Sequence, residues 1–240
     1  ESPHELASRV AQQVKAKFVK NLPQSLVQDY DNRDCVAPYS TTEIILGPLL
    51  GSGEFSHVYE IKSFRPDTSL ETALSPEEIK TRRHMKRRER YHDTKKACYA
   101  VKHLRPTLLD TYSKVEYAQS ATDLALEAEF LSSLQHPHII KLRGISLAGA
   151  GAFENGPKGY FLIIDRLNET LDSRIQRWKK QKRKKWSGKK SKLPRISVLG
   201  PGGSKDDSNV GKEEDITEEQ VHVGLQISSG VQYLHEKGIM

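Results

Sequence analysis

Two short stretches decide the fold: LGSGEFSHVY at residues 50–59 and, further along the chain, AVK at residues 100–102. Apolar, β-rich runs flank the glycines on both sides, which predicts an antiparallel hairpin. Gly51 and Gly53 have no Cβ, so they can adopt unusual backbone dihedrals and let the main chain approach a ligand closely. The alternative interpretation is an ordinary hairpin that contains two glycines.

Lys102 lies on a predicted strand face that is otherwise small and apolar. The other residues of that face are Cys98, Ala100 and Leu104. A lysine in such a place is expected to have a partner, because an unpaired charge among apolar groups is costly. An ammonium group next to the bare backbone of the glycine turn predicts a nucleotide-phosphate site.

Glu127 is the candidate partner of Lys102. It lies within the apolar stripe of a predicted helix, three residues after Leu124 and four before Leu131. An ion pair would account for a carboxylate at that position. The alternative is that Glu127 lies at the margin of the stripe and is solvated, as we expect for Glu129.

The remaining elements follow from capping signals and hydrophobic periodicity. Ser2-Pro3-His4-Glu5 is typical of a capping box and begins a helix that ends near Asn21. We predict a polar connector over 23–42, strands over 43–51, 55–63, 97–104, 139–147 and 159–165, and helices over 115–134, from Thr170 and over 217–236.

The charge distribution marks two insertions. The net charge is +7, yet residues 80–96 carry nine Lys/Arg against Glu89 and Asp93, and residues 177–192 carry ten and no acid. Subtracting these +17 charges leaves −10 for the rest of the chain. We therefore predict two polar surface insertions, 65–96 with a short helix from Ser75 and 179–216, both partly disordered.

The polybasic part of the second insertion, residues 179–192, is open to two interpretations. It can bind an import receptor or nucleic acid through plain electrostatics. Alternatively, it is a solvated loop that keeps the insertion soluble.

Several classes of protein are disfavoured by composition. A chain of 240 residues with 36% hydrophobic and 29% charged residues is typical of a soluble globular protein. No apolar run approaches 18 residues, and neither a secretory signal nor a disulfide framework is visible. Cys98 is expected to be a small buried residue, and His136 and His138 to be turn residues rather than metal ligands. We expect an intracellular protein, cytoplasmic or nuclear, without a membrane partner.

The order of these motifs resembles the amino-terminal half of a eukaryotic-type protein kinase domain. The resemblance covers residues 41–178 and 216–240, and the motifs occur in the family's order. They are the glycine-rich hairpin, the Ala-Val-Lys strand, the helix with Glu127, the Leu-Gln-His-Pro sequence and the run 159–167. The resemblance implies an α+β fold with a small five-stranded antiparallel sheet and one regulatory helix, followed by the first helices of an incomplete helical lobe. The implied domains are 1–40 (helix and connector), 41–167 (amino-terminal lobe) and 168–240 (hinge exit and first helices of the second lobe).

The resemblance also assigns roles to residues. The loop Gly51, Ser52, Gly53, Glu54 and Phe55 would cover the ATP phosphates, with Phe55 as a lid, and Leu50, Val58 and Ala100 would line the adenine slot. Lys102 would hold the α- and β-phosphates and pair with Glu127, which makes these two the catalytic residues. Ile164 would gate the pocket behind adenine, Asp165 and Leu167 would offer backbone hydrogen bonds to its edge, and Leu131 and Leu142 would belong to a regulatory hydrophobic column.

Three departures from the family pattern matter. Ser56 replaces the third glycine of the loop, and the insertion between the second and third strands is unusually long. The chain also ends at Met240, before the catalytic loop and the Asp-Phe-Gly segment, so we expect a fragment that is itself inactive. Ligands for Mg²⁺ are expected in the missing downstream segment.

The expected function is transfer of the ATP γ-phosphate to protein Ser/Thr rather than Tyr, with ATP and a protein substrate as partners. The alternative is a pseudokinase or kinase-like scaffold that binds nucleotide or partner proteins without catalysis.

Overall fold

The computed structural model describes residues 1–91, 98–190 and 217–239. The chain divides into two units, one formed by Glu1–Arg166 with His222–Met240 and the other by Leu167–Val221. The first unit is an α+β structure that contains the sheet and the predicted site residues other than Leu167. No helix in the described part of the chain is both long and apolar enough to cross a bilayer.

The first unit is built on a six-stranded mixed sheet with the order β1-β5-β6-β4-β3-β2. Neighbouring strands are antiparallel except β1 and β5, which are parallel. The strands are β1 Ala37–Tyr39, β2 Ile44–Ser52, β3 Ser56–Phe64, β4 Tyr99–Leu104, β5 Leu142–Ser146 and β6 Phe161–Asp165. The sheet therefore has one strand more than the five expected, and it is not wholly antiparallel.

Several α-helices begin at side-chain caps. Ser2 and Glu5 form the predicted capping box of the first helix, whose C-cap is Asn21, and Thr217 accepts a hydrogen bond from the Gln220 backbone at the start of the last. The α-helices are α1 Pro3–Lys20, α2 Gln24–Asp31, α3 Pro76–Tyr91, α4 Leu108–Thr111, α5 Lys114–Ser133, α6 Leu171–Lys190 and α7 Glu218–Glu236. Short 3-10 helices cover Thr41–Glu43, Leu70–Ala73 and Gly149–Asn155.

The predicted polar connector over 23–42 is wrong. It contains α2 and β1, and Ala37 and Tyr39 are fully buried. A Cβ at Gly144 would lie 2.8 Å from the carbonyl oxygen of Ala37, so glycine there lets β1 approach β5 closely. The strand forms because its apolar residues find a partner strand more than 100 residues away, a contact that no local pattern reveals.

One face of the sheet packs against α5, which in turn packs against α1. Alternate residues of the strands face this side, for example Leu162 of β6 and Leu104 of β4. The centre of the interface between α1 and α5 contains small residues, while His4 with Tyr117 and Phe18 with Phe130 form aromatic contacts between the same helices. The buried alanines of the interface are Ala7, Ala11, Ala118, Ala121, Ala125 and Ala128.

The opposite face is covered by α3, which belongs to the predicted insertion 65–96. Arg82 and Met85 of α3 are 1% and 2% exposed, and Met85 packs into an apolar cluster with Tyr39 and Phe64. The helix predicted from Ser75 is present, but it is 16 residues long, and the expectation that the insertion is a surface excursion is wrong for its described part. Residues 92–96 of the insertion lie outside the described residues.

The second unit, Leu167–Val221, contains α6. Thr170 caps this helix through a hydrogen bond from the Ser173 backbone to its hydroxyl (3.1 Å). The polybasic stretch is helical rather than a loop as far as Lys190, where α6 ends. Lysine, arginine and glutamine are good helix formers, which accounts for this continuation. The rest of the predicted disordered insertion, 191–216, lies outside the described residues.

Candidate functional site

Four predicted site residues of β3, β4 and β6 share one face of the sheet, whereas Asp165 of β6 lies opposite Tyr99 and points to the other face. Val58 of β3 lies opposite Lys102 of β4, and Ala100 of β4 lies opposite Ile164 of β6. Directly opposed residues of antiparallel strands point to the same face. This face, which also receives α5, is called the α5 face below, and the one covered by α3 the α3 face.

Lys102 and Glu127 form the ion pair that the sequence predicts. The Nζ atom of Lys102 lies 2.8 Å from Oε1 and 2.5 Å from Oε2 of Glu127, so the ammonium contacts both carboxylate oxygens. Their side chains are 23% and 37% exposed, respectively. The pair joins strand β4 to helix α5, and it remains open to a ligand approaching from solvent.

Helix α5 is fixed at its start by a capping box that sequence reasoning missed. Ser113 accepts a hydrogen bond from the Glu116 backbone (3.3 Å), and the Glu116 carboxylate accepts one from the Ser113 backbone (2.9 Å). The signal was present in the sequence as Ser followed three residues later by Glu. The cap fixes the register from which Glu127 projects, about three and a half turns further on.

The glycine turn connects β2 to β3 beside this pair. Gly51 lies opposite Val58, and the Gly53 backbone N–H donates to the carbonyl of Ser56 (2.8 Å). The expectation of unusual dihedrals is wrong, since positive φ angles in the described residues occur only at Gly149, Gly156 and Gly238. A Cβ at Gly51 would meet no atom within 4 Å, so the protein's own packing does not require glycine there.

The other predicted residues of the turn are exposed. Ser52, Glu54 and the lid candidate Phe55 lie at the surface, with Phe55 37% exposed, and Leu50 is 40% exposed. The structure thus leaves an open backbone surface at the turn, with two large apolar side chains beside it.

The end of β6 carries the predicted adenine-edge residues. The Asp165 carboxylate is held by Arg143 through two hydrogen bonds of 3.0 and 2.8 Å. Sequence reasoning assigned no role to this side chain, and the bidentate pair gives it a structural one. Leu167 is exposed and begins the second unit. Ile164 is half-buried and packs against the apolar cluster that contains Leu142.

Glu129 was expected to be solvated, and this expectation is wrong. Its side chain is 8% exposed and lies 2.9 Å from Lys15 Nζ of α1. The hydroxyl of Tyr30 from α2 donates to it at 3.4 Å. The two amino-terminal helices cover this side of α5, so Glu127 and Glu129, which are only two residues apart in one helix, pair with different elements.

The histidines of the loop after α5 contact α7. His136 stacks on Tyr233 with ring centroids 5.1 Å apart, and its Nε2 lies 3.1 Å from the Ser229 hydroxyl. Within residues 1–91, 98–190 and 217–239, no group of three or more His, Cys, Asp or Glu side chains could hold a metal ion.

His103 is a buried histidine next to Lys102 in sequence and on the α3 face. It is 3% exposed and stacks on Tyr59, with ring centroids 5.4 Å apart. Its Nδ1 lies 2.7 Å from the Leu104 carbonyl, which can only accept, so Nδ1 carries the proton. Burial lowers the pKa of His103 below its ordinary value. Cys98, which was expected to be a small buried residue, is instead half-buried.

Comparison with known proteins identifies no relative, since no protein-family model and no curated protein sequence matches the chain.

Proposed function

We propose that this chain is the ATP-binding lobe of a protein kinase that transfers the γ-phosphate of ATP to protein serine or threonine. The main support for the proposal is the ion pair in which the Lys102 ammonium contacts both carboxylate oxygens of Glu127, beside the glycine turn. The pair orients a cation toward the place where the open backbone of the turn can receive phosphate oxygens.

Each element has a defined part in the proposed chemistry. Lys102 would neutralise the α- and β-phosphates, and Glu127 would hold its ammonium in place while it does so. The turn at Gly51 would approach the phosphates with its backbone, and the open space where a Cβ would lie supports such an approach. Mg²⁺ would neutralise further phosphate charge when bound, and the proposal assigns no ligand for it to the described residues.

The first experiment measures binding of a non-hydrolysable ATP analogue to the 240-residue chain by isothermal titration calorimetry. Lys102→Met should weaken binding about 10- to 100-fold, since hydrogen bonds to charged groups contribute about 1.5–3 kcal/mol. Lys62→Met is the matched control, because Lys62 is an exposed lysine on the neighbouring strand β3. Equal affinity of both variants for the analogue would contradict the role of Lys102.

The second experiment tests Glu127 and separates the enzyme from a scaffold. Glu127→Gln should weaken analogue binding less than Lys102→Met does, while Asp123→Asn, an exposed site one turn earlier in α5, should leave it unchanged. Phosphoryl transfer by the full-length protein is then followed with radiolabelled ATP and a generic protein acceptor. Transfer that disappears in Lys102→Met supports the kinase, whereas tight nucleotide binding without any transfer identifies the scaffold.

A further inference from the structure

The tip of the glycine turn is tied to the segment between β4 and α5. The Arg105 backbone N–H donates to the carbonyl of Phe55 (2.9 Å), and Arg105 Nη1 donates to the carbonyl of Glu54 (3.0 Å). Two consecutive carbonyls of the tip are therefore fixed by one residue that directly follows β4.

A side-chain contact completes this attachment. The Tyr112 hydroxyl donates to Glu54 Oε1 at 3.2 Å, and the Tyr112 ring lies against Phe55 with centroids 5.4 Å apart. Tyr112 is the C-cap of α4 and directly precedes Ser113, the N-cap of α5. The tip of the turn is thus linked to the start of the helix that carries Glu127.

These contacts restrain a loop that its sequence makes flexible. Gly51 and Gly53 give the turn more conformational freedom than other residues would, and Glu54 itself is exposed. Ser56 at the base of the turn lies opposite Leu104, two residues along β4 from Lys102, or about 7 Å at the rise of a strand. Fixing the tip therefore fixes the position of the turn along β4 relative to Lys102.

We propose that Arg105 and Tyr112 are positioning residues that hold the glycine turn in place to receive the nucleotide phosphates. This inference rests on the proposed function, because it assigns the turn to phosphate binding. Neither residue would touch the phosphates, and both act through the backbone and side chain of Glu54. Their loss should weaken recognition of the triphosphate and leave recognition of the nucleoside unchanged.

The test compares two ligands, a non-hydrolysable ATP analogue and adenosine, on the 240-residue chain. Tyr112→Phe removes one hydroxyl and keeps the ring against Phe55. It should weaken binding of the ATP analogue about 3- to 10-fold, as expected for one hydrogen bond, with adenosine affinity unchanged. Arg105→Gln should have an effect at least as large, since Arg105 Nη1 holds a carbonyl of the tip.

Tyr59→Phe is the matched control. Tyr59 is on β3, close to the turn, but on the α3 face, where its hydroxyl lies 3.4 Å from His57 Nδ1. It should change neither affinity. The positioning role would be overturned if Tyr112→Phe bound the analogue as tightly as the unaltered chain does. It would also be overturned if Tyr112→Phe lost affinity for both ligands to the same extent. An unaltered chain that shows no preference for the analogue over adenosine would instead contradict the proposed function.

Discussion

The two faces of the sheet each carry an ion pair between separate elements, and the pairs differ in their exposure to solvent. On the α5 face, the side chains of Lys102 and Glu127 are 23% and 37% exposed. On the α3 face, those of Arg82 and Glu43 are both 1% exposed. A partly exposed pair can release one partner to a ligand, because water can replace a lost contact. A buried pair cannot do so without leaving an uncompensated charge.

The surroundings of the buried pair show what it does. Glu43 also accepts hydrogen bonds from the backbone N–H groups of Ser40 (2.8 Å) and Asp67 (2.7 Å). The Arg82 guanidinium lies over the Tyr39 ring, 4.8 Å from its centroid. These contacts fasten α3, the start of the insertion and β1 to each other. The buried pair of the α3 face therefore holds these elements together, while the pair of the α5 face remains partly exposed to solvent.

The largest expected effect is at the buried pair. Arg82→Met removes the cation and leaves the Glu43 carboxylate buried, so the free energy of unfolding should fall by about 3–5 kcal/mol. Urea denaturation followed by circular dichroism measures this loss. Arg83→Met is the control, because Arg83 is the next residue of α3, is 68% exposed and lies 3.6 Å from Glu71. It should change stability by less than about 1 kcal/mol.

A second variant separates the charge from the packing. Adding Glu43→Gln to Arg82→Met removes the uncompensated charge and should recover part of the lost stability. Equal losses for Arg82→Met and Arg83→Met, or no recovery in the double variant, would show that the α3 face does not depend on this pair.

The next effect concerns how firmly α5 is held on the other face. Ala11 is fully buried between α1 and α5. Ala11→Leu adds volume to this contact and should destabilise the chain by about 1–3 kcal/mol through overpacking. Ala16→Leu, on the exposed side of the same helix, should have little effect. Chemical denaturation of both variants checks this, and equal stabilities would mean that α1 does not pack tightly on the helix that carries Glu127.

Local sequence signals were sufficient for the elements around the candidate site. The two glycines, the apolar strand of Lys102 and the periodicity around Glu127 each predicted an element that the structure contains. The ion pair followed because a charge on an apolar face needs a partner. These inferences depend on neighbours in sequence, which is the information that a single sequence holds.

The errors arose where contacts join distant segments. Arg82 is one of nine basic residues in a polar stretch, and nothing local distinguishes it from Arg83. Its burial depends on Glu43, 39 residues earlier. Glu129 similarly is buried because α1 and α2, far away in sequence, fold over α5. A polar composition therefore predicted exposure wrongly in both places.

A smaller effect is expected from pH on the α3 face. Burial is the main cause that lowers the pKa of His103 below 6.5, while its hydrogen bond to Leu104 opposes the shift and the neighbouring Lys158 and His57 side chains add to it. The unfolded chain then binds a proton more readily than the folded one. Stability contributed by neutral His103 is present above pH 6.5 and falls as the pH drops below it, by at most about 1.4 kcal/mol per pH unit.

Urea denaturation at pH 7.5 and 5.5 measures this dependence. His103→Gln should reduce the loss of stability between the two pH values, whereas His84→Gln, an exposed histidine of α3, should leave that loss as it is. If His103→Gln lost as much stability between pH 7.5 and 5.5 as the unaltered chain does, His103 would not be the group that resists protonation on this face.

The smallest effect is expected at the pair that the proposed function needs most. Lys102→Met leaves a Glu127 side chain that is 37% exposed and can be hydrated, so the free energy of unfolding should change by less than about 1 kcal/mol. The same urea denaturation measures it beside Arg82→Met. A loss as large as that of Arg82→Met would make the pair a structural one, and weaker nucleotide binding by the variant would then reflect a damaged fold. If Lys102→Met loses little stability but much ATP affinity, the ammonium contributes to ligand binding. The fold of the variant would then be intact, so the lower affinity would come from the lost contact with ATP.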